Sequence, residues 1–576
     1  MSNSTVISLA SIFGSTFDAE GSSIDPSLLV YARAHPFHIA LGVLGALGIR
    51  TIYKHIKRAT AFGSLDGPTA SSFISGHEGV LFNFEHGLET YDYLLDTYGA
   101  VCRVKGMLGE DRLWVSDPRA LHDIVVKGYD DFREPESFLA WFKLSSGPNI
   151  LTTIGHKHKI QRKSISTPCQ TPAMTAVVHH LEDIFTSKVQ SSGGDTGVID
   201  IYEWMSNVGL EVIGQAGMGY SFGTMEEKES DYLNKSRDLI RLMNEMWYIR
   251  PFLPSLMKLG PARFRRFVIN LLPLTGPARA FKQVVEVMDG TAVEIYQRKK
   301  RALEDGTLDA EITAGNDIMS SLLRQNQIVS PSEQMSEEEV ISQVSALVFA
   351  GHDTTSALAR TLYLLAQNQD VQAQLHAEVR GAHRVHGKNL DYDQLNSLSF
   401  LDAVCRESLR LHSPAQVLER VAHKDWNLPL QYPVKSKDEK SMISSILVEK
   451  GTHIYISLGS ANRDKQTWGE DADQFKPSRW LQELPPSVVG ANMPGIYSST
   501  MTFLGGPRAC LGFKFSQLEM KMVLSNLISS FSFALTEDEI TWATSGTVKP
   551  HIRRGDGSID IVPTLPMKVT VIEDSD

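Results

Sequence analysis

The chain has 576 residues, 42% hydrophobic and 21% charged, which excludes a disordered or fibrous protein and allows a large core around an apolar pocket. Its formal charge of −11, from 56 Lys+Arg against 67 Asp+Glu, lacks the cationic footprint that a nucleic-acid binder needs. Cys102, Cys169, Cys405 and Cys510 form no Cys-x-x-Cys pair, so neither a disulfide framework nor a zinc ribbon is expected, and a reduced compartment is.

Residues 1–27 are rich in Ser, carry Asp18, Glu20 and Asp25, and contain no Lys or Arg. An uncharged apolar run from Pro36 to Ile49 follows, reaching Tyr53 if Arg50 snorkels to the headgroups. Crossing hydrocarbon takes about 20 apolar residues, so the run is only just long enough. Arg50, Lys54, Lys57 and Arg58 on its C-terminal side direct the remainder of the chain to the cytosol. The expectation is a lumenal tail and membrane anchor helix over 1–58, then one domain over 59–576. An amphipathic or core helix is the other reading of the same run. The acidic leader and the late apolar start argue against a cleaved signal peptide. Asn3-Ser-Thr5 is a glycosylation sequon if the N-terminus is lumenal.

A Gly/Pro/Ser-rich linker spans Gly63 to Gly76. Leu88 to Tyr98 reads as a helix, Val101 to Lys105 and Arg112 to Val115 as strands, and Asp117-Pro118 opens a helix through Val126. Helical patterns dominate from Gly155 to Asp370, with loops at Ser191 to Gly197 and Pro251 to Pro261. Asp425 to Leu458 carries strand signals, Asn462 to Thr500 is irregular, and Leu511 to Phe531 is helical. The fold class this predicts is mainly α with a small β region at the chain's two ends.

Three stretches carry chemistry. Ser336 and Glu339 form a capping-box pattern ahead of a helix whose apolar face is Val340, Ile341, Val344, Leu347 and Val348. In its middle stand Gly351, His352, Asp353, Thr354 and Thr355. An acid and a hydroxyl in an apolar helix are costly unless hydrogen-bonded, and Gly beside two β-branched residues weakens the ladder. They also read as a polar interruption with threonines bonded back to the previous turn. Glu407 and Arg410 lie i,i+3 on one helix face, which alone is an ion pair of little consequence. Last, Phe503-Leu-Gly-Gly506-Pro-Arg508-Ala-Cys510-Leu-Gly512 runs into a helix with Leu511, Phe515, Leu518 and Met522 at helical spacing. A lone Cys near glycines is usually a small buried residue. At a helix N-terminus, unpaired N–H groups and the macrodipole favour its thiolate.

The pattern Phe-x-x-Gly-x-Arg-x-Cys-x-Gly resembles the cysteine-ligand loop of the cytochrome P-450 superfamily, and every fixed position matches. Average residue usage gives such a coincidence a probability on the order of 10⁻⁴. The Asp353-Thr354 stretch looks like the family's oxygen-activation segment. Glu407-Ser-Leu-Arg410 resembles its Glu-x-x-Arg signature, with Arg479 in Phe475-Lys-Pro477-Ser-Arg479-Trp480 as third member. His158 and Arg162 resemble the family's propionate-binding helix, with His in place of the usual eukaryotic Trp; a solvated basic helix is the alternative. Arg420 resembles a further arginine of the family. The likeness covers nearly the whole chain.

The resemblance implies the cytochrome P-450 fold and a thiolate-ligated haem b with Cys510 on the iron. It places Arg508, His158, Arg162 and Arg420 at the propionates and Phe503 at the cofactor, with Gly506 and Gly512 letting backbone approach the macrocycle. Thr354 would hold a hydrogen bond near dioxygen and Asp353 would relay protons, while His352 receives no role. Glu407, Arg410 and Arg479 would form a buried network of structural importance. The reaction implied is insertion of one atom of O₂ into a substrate, the other leaving as water. With no flavin or nicotinamide domain read in the chain, electrons are expected from NADPH-cytochrome P-450 reductase, with cytochrome b5 as a second donor. Lys514 and Lys521 are candidates for the reductase-facing surface, with plain solvation as the alternative. The expected site is the endoplasmic reticulum membrane, facing the cytosol.

Substrate contacts are expected from Phe138 to Leu151, Met243 to Leu259, Leu347 to Ala350 and Pro414 to Leu418. Their apolar character points to a hydrophobic small molecule such as a terpenoid, sterol or fatty acyl compound. The insertions and cysteine loop look most like fungal members of secondary metabolism. A haem-thiolate isomerase or dehydratase that consumes no O₂, and a non-catalytic haem carrier, are the competing classes; the Asp353-Thr354 pair argues against both.

Overall fold

One carboxylate ties two distant parts of the chain together. Asp117 accepts from the backbone N–H of Ala120 at 2.9 Å and so caps the helix Pro118–His122, with Pro118 in the first turn. The same carboxylate accepts from the N–H groups of Gln431 and Tyr432, both at 2.9 Å. The computed structural model describes residues 61–576 except 71, 166–170, 227–229, 261, 272, 309–315, 352–353 and 573–576. From Phe62 to Asp576 the chain forms one compact unit.

A five-stranded sheet has the order Val101–Lys105, Asp111–Val115, His453–Ser457, Val417–Ala422, Phe132–Arg133. Only the pairing of Asp111–Val115 with His453–Ser457 is parallel; the other pairs are antiparallel. Asp111–Val115 is buried along its whole length, which suits a run covered on both faces. Trp426–Lys435 and Met442–Val448 form a hairpin beside it, as do Glu539–Ser545 and Thr547–Arg553 later in the chain. A three-stranded sheet joins Phe531–Leu535, Pro566–Val571 and Thr196–Asp200.

Helices make up most of the rest and enclose the largest apolar core. The helix from Ser336 is described in two lengths, Glu337–Gly351 and Thr354–Gln367. Its capping box forms: Ser336 N–H donates to Glu339 Oε2 at 3.0 Å and Glu339 N–H to Ser336 Oγ at 3.3 Å. Thr354–Gln367 packs against Ile201–Val212, Ser399–Leu411 and Phe513–Ser530, so it lies at the centre of the helical layer. Gly351 lets the first length, Glu337–Gly351, pass close to the turn Ile213–Met218, because a Cβ there would meet Ile213 Cγ1 at 2.5 Å.

Two expected loops contain regular structure. Thr196–Asp200 is a strand whose Val198 is exposed and Ile199 buried; five residues with an internal Gly are too short an alternation to read without the partner strand. Between Pro251 and Pro261 lies a helical turn, Leu253–Leu256. The expected tail, sequon and anchor over 1–58 lie outside the described residues. Among the described residues no helix is long and apolar enough to cross a membrane.

Candidate active site

The Cys510 loop is built by a strand, a single turn and a helix. Thr500–Gly505 leads into a 3₁₀ turn at Gly506–Arg508, and the helix Phe513–Ser530 follows with Gly512 as its N-cap. Cys510 therefore stands two residues ahead of the cap rather than inside the first turn. Its N–H donates to the Phe503 carbonyl at 2.9 Å and closes the loop. The Phe503 ring is edge-on to Tyr497, centroids 5.6 Å apart. Gly506 has φ +67°, and a Cβ would fall 2.0 Å from the Val125 carbonyl oxygen. A Cβ on Gly512 would meet nothing within 4 Å.

The described cysteines differ sharply. Cys102 and Cys405 are buried, and burial pushes both thiols up, that of Cys405 to about 12. Such thiols stay protonated and inert. Cys510 alone among them is exposed. Cys169 lies outside the described residues.

Four groups from three separate parts of the chain gather beside this loop. Arg162, on the helix Gly155–Ser164, donates from Nη1 to the Ala509 carbonyl at 2.7 Å. Arg508 donates to the carbonyls of Ile150 at 3.2 Å and Thr153 at 2.6 Å. Arg420, on the strand Val417–Ala422, and Arg508 both face Glu134, at 3.3 Å and 3.4 Å from its two carboxylate oxygens. Burial opposes ionisation of Glu134, but the two guanidiniums outweigh it and hold the carboxyl below its usual range. His158 is buried, and its pKa falls to about 4 through burial and then the charges of Arg508 and Arg162. It is a neutral imidazole at pH 7.

Charge balance tests what this cluster suits. Arginine stays ionised in proteins, so Arg162, Arg420 and Arg508 carry three positive charges against the one negative charge of Glu134. Two remain, and the two propionates of a haem would neutralise them beside an exposed sulfur. Among the described residues no set of His, Cys, Asp and Glu side chains is arranged to hold a bare metal ion. The residues fit the macrocycle.

On the neighbouring helix, Thr354 is buried and its hydroxyl donates to Ser516 Oγ at 3.2 Å. Thr355 donates across to the Met205 carbonyl at 3.3 Å. Asp353 lies outside the described residues. Glu519, one turn beyond Ser516, is fully buried, with neither carboxyl oxygen hydrogen-bonded among the described residues. Thr354 lies close enough to pull its pKa down, the smaller of two influences, while the threonine hydroxyl donates to Ser516. Burial dominates and drives the Glu519 pKa well above the carboxylate range, favouring the protonated acid. Sequence reading passed over Glu519 and Ser516. The available signal was an acid among Phe515, Leu518 and Met522, on a face that should be apolar.

Glu407 and Arg410 form a bidentate pair at 2.9 Å and 2.8 Å, both fully buried. Arg410 also donates to the carbonyls of Asn462 and Ala472. Arg479 reaches Glu407 at 3.5 Å and Asp471 more closely at 3.0 Å. Trp480 Nε1 donates to Glu407 at 2.9 Å, a fourth member that the sequence reading left out. Lys521, expected at a partner-facing surface, is instead buried, 2.8 Å from Asn396 and 2.7 Å from Asp402, and presents no charge to a partner. Its position faces inward on a helix with few exposed residues. Lys514 is exposed.

Of the expected substrate-contact segments, Phe138, Phe142 and Phe349 form a run of rings, and the Ile150 N–H donates to Gln343 of the central helix at 3.1 Å. The hairpin Glu539–Arg553 was not foreseen there. Val548 N–H donates to the Pro414 carbonyl at 3.0 Å, and Gly546 packs on Ile240.

The family model described as Cytochrome P450 matches residues 77–548. Cytochrome P450 monooxygenase 219 of Postia placenta is 40% identical over 521 residues, covering 88% of this chain and 93% of its own. Cytochrome P450 monooxygenase 212 of the same fungus is 37% identical over 534 residues, covering 90% and 96%. The ganoderic acid synthetase of Ganoderma lucidum is 36% identical over 502 residues, covering 84% and 90%.

Proposed function

The chain belongs to the cytochrome P450 family and is a haem-thiolate monooxygenase with haem b as its cofactor, and from that premise we propose that it oxidises a hydrophobic secondary metabolite, of terpenoid type, at a membrane surface. Electrons come from an NADPH-cytochrome P-450 reductase, with cytochrome b5 as a second donor. The protein resides on the endoplasmic reticulum, tethered by its N-terminal segment with the catalytic domain in the cytosol. The apolar character of the substrate-contact segments and the secondary-metabolite name of the Ganoderma relative support this reading.

One observation carries it. Arg162 is bonded to the carbonyl next to Cys510, while Arg508 and Arg420 converge from the other side. An exposed sulfur thus lies against a site with two surplus positive charges.

Bound haem supplies the oxygen chemistry, placing one atom of O₂ on the substrate and releasing the other as water. Cys510 would hold the iron through its sulfur as thiolate, and electron density from that sulfur would favour O–O cleavage. Arg162, Arg420 and Arg508 would hold the macrocycle through its propionates, and neutral His158 would offer a hydrogen bond without adding charge. The Thr354 hydroxyl holds a proton at the oxygen side, with Ser516 fixing its rotamer. Asp353 passes protons inward from solvent, and Glu519 keeps one in reserve beside Thr354.

The test is incubation of membranes carrying the protein with reductase, NADPH and a panel of terpenes. The expected result is oxidised product whose formation requires both NADPH and O₂. Product formed without either would overturn the monooxygenase role on that substrate, and a panel inert throughout while fatty acyl compounds react would overturn the terpenoid assignment.

A further inference from the structure

Glu134 is not part of any motif that points to haem, yet it occupies the point where two of the propionate arginines meet. Its oxygens lie 3.3 Å from Arg420 and 3.4 Å from Arg508, with a side chain 12% exposed. The same Arg508 donates to the carbonyls of Ile150 and Thr153. Arg508 therefore clips both ends of segment 134–153, which bears the Phe138 and Phe142 rings.

We propose that Glu134 remains between Arg420 and Arg508 when haem is bound and acts as a positioning residue that, as the third anion of the cradle, sets the iron's reduction potential. The inference rests on the placement of the propionates given above. Three guanidiniums then face three carboxylates, and His158 adds no charge. Asp130 is the other acid whose field reaches Arg508, and its influence is the smallest. A carboxylate held by two of the arginines that would bind the propionates would stabilise the oxidised iron relative to the reduced iron, because the attraction would act on one additional positive charge in a poorly screened site. It also shares the two arginines with the propionates, so it loosens the hold on haem while tying segment 134–153 to the same cluster. The alternative is that haem displaces Glu134 to solvent, where salt screens it.

The experiment compares the full-length holoprotein with Glu134→Gln, which keeps shape and hydrogen bonding but loses the charge, and Glu134→Asp, which keeps the charge. Two quantities are read: the midpoint potential of the substrate-free haem by spectroelectrochemistry, and the rate of haem transfer to excess apomyoglobin. Glu134→Gln is expected to shift the potential positive and slow haem transfer several-fold, with Glu134→Asp returning both toward wild type. A Gln variant with unchanged potential overturns the inference. An Asp variant that matches Gln does so as well, since a purely steric clip would not follow charge. Arg508→Gln separates the underlying reading: haem transfer as slow as wild type in that variant would mean the propionates are elsewhere, and both claims would fall together. Fast transfer in Arg508→Gln with an inert Glu134→Gln would remove only the role of Glu134.

Discussion

Thr354 Oγ1 donates to Ser516 Oγ at 3.2 Å, joining the central helix to the first turn of the helix that follows Cys510. The two segments regarded as oxygen side and sulfur side therefore share a proton-bearing contact, with buried Glu519 beside it.

Thr354→Ala should uncouple electron use from oxidation. NADPH consumption continues, while product per NADPH falls by about an order of magnitude, below the ~10²-fold of a fully positioned acid–base group. Thr354→Ser should keep most of the coupling. Stoichiometry of NADPH, peroxide and product measures this, and full coupling in the Ala variant would take Thr354 out of proton handling.

Cys510→Ala should remove the strongly red-shifted Soret band expected of the reduced carbonyl complex in this family. The sharp contrast between exposed Cys510 and buried Cys102 and Cys405 leaves no described substitute sulfur. Survival of that band in the variant would reassign the ligand.

Glu407→Ala should destabilise the protein by about 3–5 kcal/mol, the range for leaving a buried charge unpaired. Arg410 has no exposure through which water can replace its partner. Trp480 and Arg479 lose a hydrogen-bond acceptor as well. Urea unfolding and haem content read the change, and a midpoint like wild type would make this network dispensable.

Gly506→Ala should cost about 1–2 kcal/mol from left-handed backbone alone, before the clash with the Val125 carbonyl. The turn before Cys510 must then shift, so haem incorporation should drop along with the thermal midpoint. Gly512→Ala meets no protein atom within 4 Å of its Cβ, so a loss of haem there would report crowding of the macrocycle alone.

Acid should weaken the haem-free fold through His158 and His551. Burial lowers both to about 4, aided for His158 by Arg508 and Arg162. Unfolded histidine takes up its proton from about pH 6.5 downward, while the folded chain resists until about pH 4. The stability these groups provide is thus complete above about pH 6.5 and is lost as pH falls through that window. Urea midpoints of the apoprotein between pH 7 and 4 should fall less steeply in a His158→Gln, His551→Gln variant than in wild type. Equal slopes would exclude both groups.

The legible parts of this molecule are those where a local pattern carries its own reason. Asp117-Pro118 caps its helix, Ser336 and Glu339 form their box, and Gly506 accounts for itself by a positive φ. Glu407 and Arg410 were visible as a pair and the family resemblance implied their burial, but the indole of Trp480 was not foreseen, since it leaves no mark on spacing. Glu134 and Glu519 were missed for a related reason. A carboxylate gains its meaning from partners far along the chain, and sequence shows the acid without the arginine or the apolar wall. Lys521 shows the converse, a cation read as surface that is buried between Asn396 and Asp402.

The strand Thr196–Asp200 finds its partner in Pro566–Val571, and the Asp200 carboxylate accepts from Leu565 N–H across a separation of 365 residues. At about 5–20 residues per second, a ribosome needs roughly 20 to 70 seconds to supply that partner. Throughout that wait a short β segment and the edge of the helix after it stand open to chaperones or to other nascent chains. Trimming the C-terminal strand during protein engineering would make that transient exposure permanent.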